Sequence, residues 1–326
     1  MERILSGIQP SGAVHLGNYI GALRQWVELQ QQYDSYFCIV DYHAITVKQD
    51  PDQLFHNTLS LAAMYIAVGL DPQRVTLFRQ SDVSAHTELA WIFNTMAYIG
   101  ELERMTQYKD KAKQHKTNNN VGLFTYPLLM ASDILLYQPK YVPVGEDQKQ
   151  HIELTRELAE RFNNRFGDTF VMPEYFKAPQ GARIMSLDDP TKKMSKSATT
   201  EWGYIALTDS PEVILKKLKK AVTDSGSEVK VHKDKPAVSN LLTIFSAVTN
   251  RDVEAIEDEY LNQGYGRFKT GLADAIVELL KPIQATYTEL MSDIPMLQRI
   301  LQHGADKAKV LADQTLHDVK DKLGIR

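Results

Sequence analysis

Cysteine is nearly absent: Cys38 is the only one in 326 residues. One thiol cannot form an intramolecular disulfide, and Cys-rich zinc sites are excluded, so a reducing compartment fits and no protein-held metal is expected. Long apolar runs are missing too. None approaches a membrane span, and Met1-Glu2-Arg3 opens neither a signal-peptide core nor a transit peptide. A cytoplasmic protein with no membrane contact is therefore expected. Positive charge is not in excess, because the formal net charge is -4. Proteins that grip nucleic acid by bulk charge are basic, so any such contact must use local patches. Internal repeats and low-complexity tracts are also absent. What is present is 43% hydrophobic and 24% charged residues, the balance of an ordinary globular chain long enough for two domains.

The first half alternates short β-type runs with amphipathic helices. Ile4-Leu5, "SYFCIVD", "RVTLFRQS" and "KYVPVG" read as strands. Between them, Tyr19 to Val27, Phe55 to Ile66 and Leu89 to Met96 carry apolar residues at helix spacing, the last behind Ser84 as a plausible N-cap. "EDQKQHIELTRELAERFNNRF" reads as a long helix. Strand–helix alternation with short connections predicts an α/β fold, a Rossmann-like doubly wound parallel sheet that binds ligands at the carboxyl ends of its strands. Near Gly181 the character changes to a loop, "GARIMSLDDPTKKMSKSATTEWG". Beyond Ser210-Pro211, an N-cap and N1 pair, helices are predicted near 211–222, 239–248, 252–262, 268–291 and 304–322. The expected division is a catalytic domain over 1–187, a basic mobile loop over 188–200 and a second, helical domain over 201–326. The last helix has the option of packing back on the first domain.

Two stretches carry chemistry. "GIQPSGAVHLGNY", residues 7–19, is a tight turn feeding a helix. Gly7 and Gly12 permit positive φ, and Gly17 allows close backbone approach. Free N–H groups at a helix start attract phosphate, and His15 can donate to an oxyanion. The same glycines also serve an ordinary strand–turn–helix corner. "KKMSKS", Lys192 to Ser197, places lysines three apart with hydroxyls between and after. That is either a solvated basic loop or a clamp on a polyphosphate, stabilising charge as it develops. The helix near 211–222 carries Lys216, Lys217, Lys219 and Lys220, a solvated face or a phosphate-contacting one.

Taken together, "HLGN" and "KMSKS" resemble the paired motifs of class I aminoacyl-tRNA synthetases. "SGIQPSG…GNYIGALRQWV", "CIVDYHAIT", "ELERMTQYKDK", "YPLLMASDILLY", "VPVGEDQKQHIELTRELAERFN" and "GARIMSL…PTKKMSKS" are similar, in order and spacing, to the bacterial tryptophanyl branch of that class. The resemblance is dense over the catalytic half and thinner through "LKKAVTDS", "VSNLL" and the closing helices. It implies ATP with Mg²⁺, L-tryptophan and tRNA(Trp) as substrates, and a homodimer with a helical anticodon-binding domain. Its ATP contacts fall on Gln9, Pro10, Ser11, Gly17, Asn18, Gly145, Glu146, Asp147, Ile184, Lys193, Met194, Ser195, Lys196 and Ser197. Its phosphate chemistry falls on His15, Asn18, Lys111, Lys193 and Lys196.

The implied tryptophan pocket falls on Asp133, with Met130, His43, Gln148 and Leu5, and with Ile134, Val142 and Val144 as further ring neighbours. An indole N–H is a donor only, which suits an acceptor carboxylate, and a carboxylate in apolar "MASDILL" is unusual without a partner. Pro127 is expected to start the helix that carries Asp133. Some positions depart from the pattern. His15 stands where bacterial members commonly have threonine, Leu5 where an aromatic often lines the pocket, Tyr42 in place of glutamine, and Ala198 where aspartate is frequent.

Overall fold

The computed structural model describes residues 1–109, 120–176, 183–195 and 200–325, and within these it leaves out the Glu146 side chain. Five parallel strands form one sheet: β1 (Arg3–Ile8), β2 (Asp34–Ile39), β3 (Thr76–Arg79), β4 (Tyr141–Pro143) and β5 (Glu174–Phe176), in the order β3-β2-β1-β4-β5. This is the doubly wound α/β arrangement that strand–helix alternation predicts. β5 was not among the predicted strands. Its three residues are too few to show a period, and pairing with β4 (Val142↔Tyr175) is what makes it a strand.

Alternation along the strands separates the two faces of the sheet. Leu5, Tyr36, Cys38, Phe78 and Val142 pack into one core. Ile4, Phe37, Ile39 and Leu77 pack into the other. Helices cover both. The first turn after β1 is α1 (Leu16–Asn18), which runs through a π-helical turn (Tyr19–Leu23) into α2 (Arg24–Leu29). A short helix, α3 (Asp41–Ala44), follows β2, and α4 (Pro51–Ala67) starts on Pro51 with the Asp50 side chain accepting from Gln53 N–H at 2.9 Å. α5 (Ala85–Asn94) and α6 (Ile99–Glu103) follow β3. Ser84 is the residue before α5, but its hydroxyl makes no capping bond.

The helix carrying Asp133, α7 (Val121–Leu135), starts six residues before Pro127. Asn120 caps it, its side chain accepting from Leu123 N–H at 2.9 Å. Pro127 sits inside, where its missing N–H forgoes one bond. α8 (Lys149–Phe166) is the long amphipathic helix after β4.

Beyond residue 200 the described chain is helical: α9 (Pro211–Lys220), α10 (Pro236–Thr249), α11 (Val253–Glu259), α12 (Gly264–Ser292) and α13 (Ile294–Leu323). α9 to α12 share a third core with Leu16, Ile20, Ile184 and Met194. α13 begins ten residues before the predicted 304, because Asp293 caps it by accepting from Met296 N–H at 2.9 Å and Pro295 fits its first turn. None of the described helices is long and apolar enough to cross a membrane.

α13 passes across the sheet edge. Leu297 and Leu301 belong to one face's core, and Ala305, Ala308, Ala312 and Leu316 to the other's. β3 is that edge strand, and covering it removes an open pairing site. At the crossing, a Cβ on Gly304 would lie 1.8 Å from the Leu77 carbonyl oxygen. No side chain fits there without lifting the helix. Gly304→Ala is therefore expected to destabilise the protein by about 3 kcal/mol or more, at the upper end of overpacking effects. Urea unfolding measures it, and an unchanged midpoint would refute this packing.

Candidate active site

β1 has β2 on one side and β4 on the other, so the strand order reverses between β1 and β4. Ligands of open α/β sheets bind in the crevice at such a point. Here the crevice is open by construction. β1 and β2 stay in register from Arg3↔Asp34 to Ile8↔Ile39, whereas β1 and β4 pair only at Ile4↔Tyr141. Further along, a single bond from Ser6 Oγ to the Pro143 carbonyl, 3.0 Å, joins the two.

Gln9, Pro10 and Ser11 leave β1 into this crevice, and Ser11 N–H closes the turn on the Gln9 carbonyl at 2.8 Å. Gly12 has φ +84°, as a glycine at this turn allows. Gly7 does not. It lies within β1, opposite Cys38. His15 caps α1: its Nδ1 accepts from Asn18 N–H at 3.3 Å, and Asn18 Oδ1 accepts from His15 N–H at 3.1 Å. Because Nδ1 accepts, a neutral His15 carries its proton on Nε2, which is the donor form an oxyanion needs. A Cβ on Gly17 would lie 3.1 Å from His15 Nδ1 and 3.3 Å from Met194 Cβ, so the bare glycine makes room for the ring.

The lysine-bearing stretch starts as a small hairpin. Met185 bridges Lys193, Ser186 N–H bonds the Lys192 carbonyl at 2.8 Å and Met194 N–H bonds the Ile184 carbonyl at 3.0 Å. The Met194 and Ile184 side chains are buried beside Leu16 and Ile20, and Lys193 is exposed. Asp188 accepts from Ser186 Oγ at 2.6 Å and Thr200 Oγ1 at 2.5 Å. These bonds hold its carboxyl below the usual range. Ser195 lies at the end of the described hairpin, while Lys111, Lys196 and Ser197 lie outside the described residues.

Residues 204–207 tie the nucleotide turn to the helical side. Leu16 N–H bonds the Ile205 carbonyl at 2.8 Å, and Leu207 N–H bonds the Val14 carbonyl at 2.9 Å. The Tyr204 ring lies 6.1 Å from the His15 ring, and Lys217 Nζ sits 4.8 Å from the Tyr204 centroid. Lys217 pairs with Asp209 Oδ2 at 2.6 Å and its side chain is only 7% exposed. It is thus not part of an exposed four-lysine face. Lys216 and Lys220 rest over Trp202, at 5.2 and 3.6 Å.

Across the crevice, Gly145 is exposed and its carbonyl accepts from Gln148 N–H at 2.9 Å. Asp147 Oδ2 accepts from Gln107 Nε2 at 2.9 Å and from Gln148 Nε2 at 2.8 Å. Asp147 and Gln148 therefore hold each other at the start of α8.

Asp133 lies deeper, with 4% of its surface exposed. Its Oδ2 accepts from His43 Nε2 at 2.7 Å. Its Oδ1 accepts from Gln80 Nε2 at 2.7 Å and His86 Nδ1 at 2.7 Å. Burial pushes this carboxyl up, but the His43 imidazole and the hydrogen bonds from His43 and His86 outweigh it and hold Asp133 well below the usual carboxylate range. It is an ionised acceptor. Leu5, Ile134 and Val142 are buried together in one core, with Met130 and Val144 at its border. Gln80 and His86 were not among the predicted site residues. The available signal was a Gln directly after the strand run "TLFR" and a His on the apolar face of α5.

A family model described as tRNA synthetases class I (W and Y) matches residues 1–281. The tryptophan–tRNA ligase of Caldanaerobacter subterraneus subsp. tengcongensis is 54% identical over 326 residues, covering all of this chain and 99% of that one. That of Bacillus subtilis is 55% identical over 325 residues, covering 99% and 98%. Among solved structures, tryptophanyl-tRNA synthetase from Campylobacter jejuni complexed with ADP and tryptophan superposes with a TM-score of 0.88 at 36% identity, covering 99% of each chain. A tyrosyl-tRNA synthetase from Archaeoglobus fulgidus, TM-score 0.68 at 21% identity over 88% of this chain and 90% of that one, shares the fold. The motifs at the switch point and the match over most of the sequence have one reading: the chain belongs to the class I tRNA synthetases of the tryptophan and tyrosine (W and Y) family.

Proposed function

We propose that this protein joins tryptophan to tRNA(Trp) in the cytoplasm. In the first step a tryptophan carboxylate oxygen attacks the α-phosphorus of ATP. The bond from that phosphorus to the β-bridging oxygen breaks, giving tryptophanyl-adenylate and pyrophosphate. In the second, a terminal ribose hydroxyl of the tRNA attacks the adenylate carbonyl and AMP leaves. The observation that carries the tryptophan reading is Asp133, an ionised, buried acceptor. An indole N–H needs such an acceptor and nothing else polar.

The chemistry calls for no side-chain nucleophile. Two substrates must be held in line, and charge on the phosphates must be stabilised as it grows. Gln9, Pro10, Ser11, Gly17 and Asn18 would line ATP from the β1 side, and Gly145, Glu146 and Asp147 from the β4 side. Ile184 and the hairpin from Lys193 to Ser197 would close over it. Mg²⁺ enters with ATP, on its phosphates. His15, Asn18, Lys111, Lys193 and Lys196 would supply the donors. Met130, His43, Leu5 and Gln148 would surround the amino acid.

A homodimer is part of this reading. Trp91 is 71% exposed and Ile45 56%. Both line an open cleft of about 410 Å³ with Tyr42, Tyr126 and Leu129. Exposed aromatic surface of this kind marks a protein interface. A monomer in sedimentation at assay concentration would rule this assembly out.

Lys196→Ala should slow adenylate formation by about 10² to 10³, the usual loss for one transition-state donor, with little change in tryptophan binding. His15→Ala should be milder, because backbone N–H groups of the turn share the phosphate. Equal losses of rate and ATP affinity for Lys196→Ala would mean uniform binding instead.

Pyrophosphate exchange into ATP, run with tryptophan, tyrosine and no amino acid, tests the function as a whole. Exchange should require tryptophan. Asp133→Ala should lose most of the preference for tryptophan over phenylalanine, and Asp133→Asn, which keeps a carbonyl acceptor, should lose less. Full preference retained in Asp133→Ala would make Asp133 a structural residue.

A further inference from the structure

Asp133 has more partners than the reading of one N–H requires. A carboxylate oxygen offers two lone-pair positions. Gln80 Nε2 and His86 Nδ1 take both on Oδ1, and His43 Nε2 takes one on Oδ2. The second position on Oδ2 has no partner among the described residues.

Neither donor on Oδ1 is loose. Gln80 is fully buried, and its Oε1 accepts from Tyr42 N–H at 3.0 Å. That contact fixes the amide with its NH₂ toward Asp133. His86 is fully buried as well. Its Nδ1 faces an ionised carboxylate and so carries a proton, while its Nε2 lies 2.7 Å from the Tyr137 hydroxyl. Burial pushes the Tyr137 phenol well up, so it keeps its proton and stays hydrogen-bonded to Nε2. The Phe78 and Tyr36 rings pack against Tyr137 at 5.4 and 5.2 Å and hold it in place. The result is a buried hydrogen-bonded chain, Tyr137 to His86 to Asp133, built from α5, α7 and the turn that follows α7. None of these residues is needed at the phosphates.

We infer that Gln80 and His86, backed by Tyr137, are specificity-determining positioning residues: they fill Oδ1 and fix the Asp133 carboxylate so that only the remaining position on Oδ2 is offered to a ring N–H. This rests on Asp133 being the residue that reads the indole. It also lowers the penalty for a ligand without the N–H. The carboxylate then keeps three partners and is not stripped bare, so selection depends on how firmly the fourth position is aimed.

The test is pyrophosphate exchange by the full chain with tryptophan and with 3-(3-benzothienyl)alanine, in which sulfur replaces the N–H in a ring of similar shape. His86→Leu and Gln80→Met each remove one donor at similar volume. Each should lower the ratio of kcat/KM for tryptophan over the analogue by about tenfold or more, as a hydrogen bond to a charged group implies. The loss should lie in the tryptophan KM, with the ATP KM unchanged. His86→Asn places an amide N–H near the former Nδ1 and should restore most of the ratio. Tyr137→Phe removes a single oxygen and should shift it the same way by less, which keeps the test open if His86→Leu does not fold. Equal losses for both amino acids, or an unchanged ratio, would overturn the inference: the donors would then only neutralise a buried charge. If Asp133→Ala also keeps the wild-type ratio, the fault lies in the reading of Asp133 itself.

Discussion

A buried carboxylate must be surrounded by donors, and in this protein that requirement joins four segments of the chain. Ionised Asp133 on α7 draws His43 from α3, Gln80 from just after β3 and His86 from the first turn of α5. Two of the donors come from the segments that follow β2 and β3, so satisfying one charge ties these segments to α5 and α7. Leaving such a group without partners costs several kcal/mol, enough to consume much of the stability of an ordinary domain.

The turn after β1 is held from the opposite direction. Val14 and Leu16 are hydrogen-bonded to 205–207, and Leu16 shares its core with Ile184, Met194 and the helices from α9 to α12. The glycine turn and the hairpin that begins the lysine motif thus belong to the same packed unit. A shift of the helical side must be felt at His15, through the backbone bridge and the Tyr204 ring. Asp133, by contrast, is anchored to α3, α5 and the residue that follows β3. On the proposed function, ATP and tryptophan would meet near the opening between β1 and β4.

Much of this was legible in the sequence because its signals are local. Apolar strand runs, the turn from Gly7 to Tyr19, the stretch from Lys192 to Ser197 and a carboxylate in "MASDILL" each announce themselves within about a dozen residues. What was not legible depends on contacts across the chain. Gln80 and His86 reach Asp133 over 53 and 47 residues, and nothing near either one marks a buried charge elsewhere. Gly304 is only the start of a predicted helix in the sequence, and nothing near it announces the Leu77 carbonyl against it. Pro127 suggested a helix start, but the cap at Asn120 and packing of the whole of α7 outweigh one missing hydrogen bond. Lys217 counted as surface charge until Asp209 and Tyr204 were seen to enclose it.

The most direct measurement of the account is the NMR signal of the indole N–H of ¹⁵N-labelled tryptophan bound to the wild-type protein. A hydrogen bond to an ionised, buried Asp133 predicts a proton resonance displaced downfield from free tryptophan and protected from exchange with water. A bound resonance at the free position, exchanging freely, would contradict it: the indole would then be recognised by shape alone.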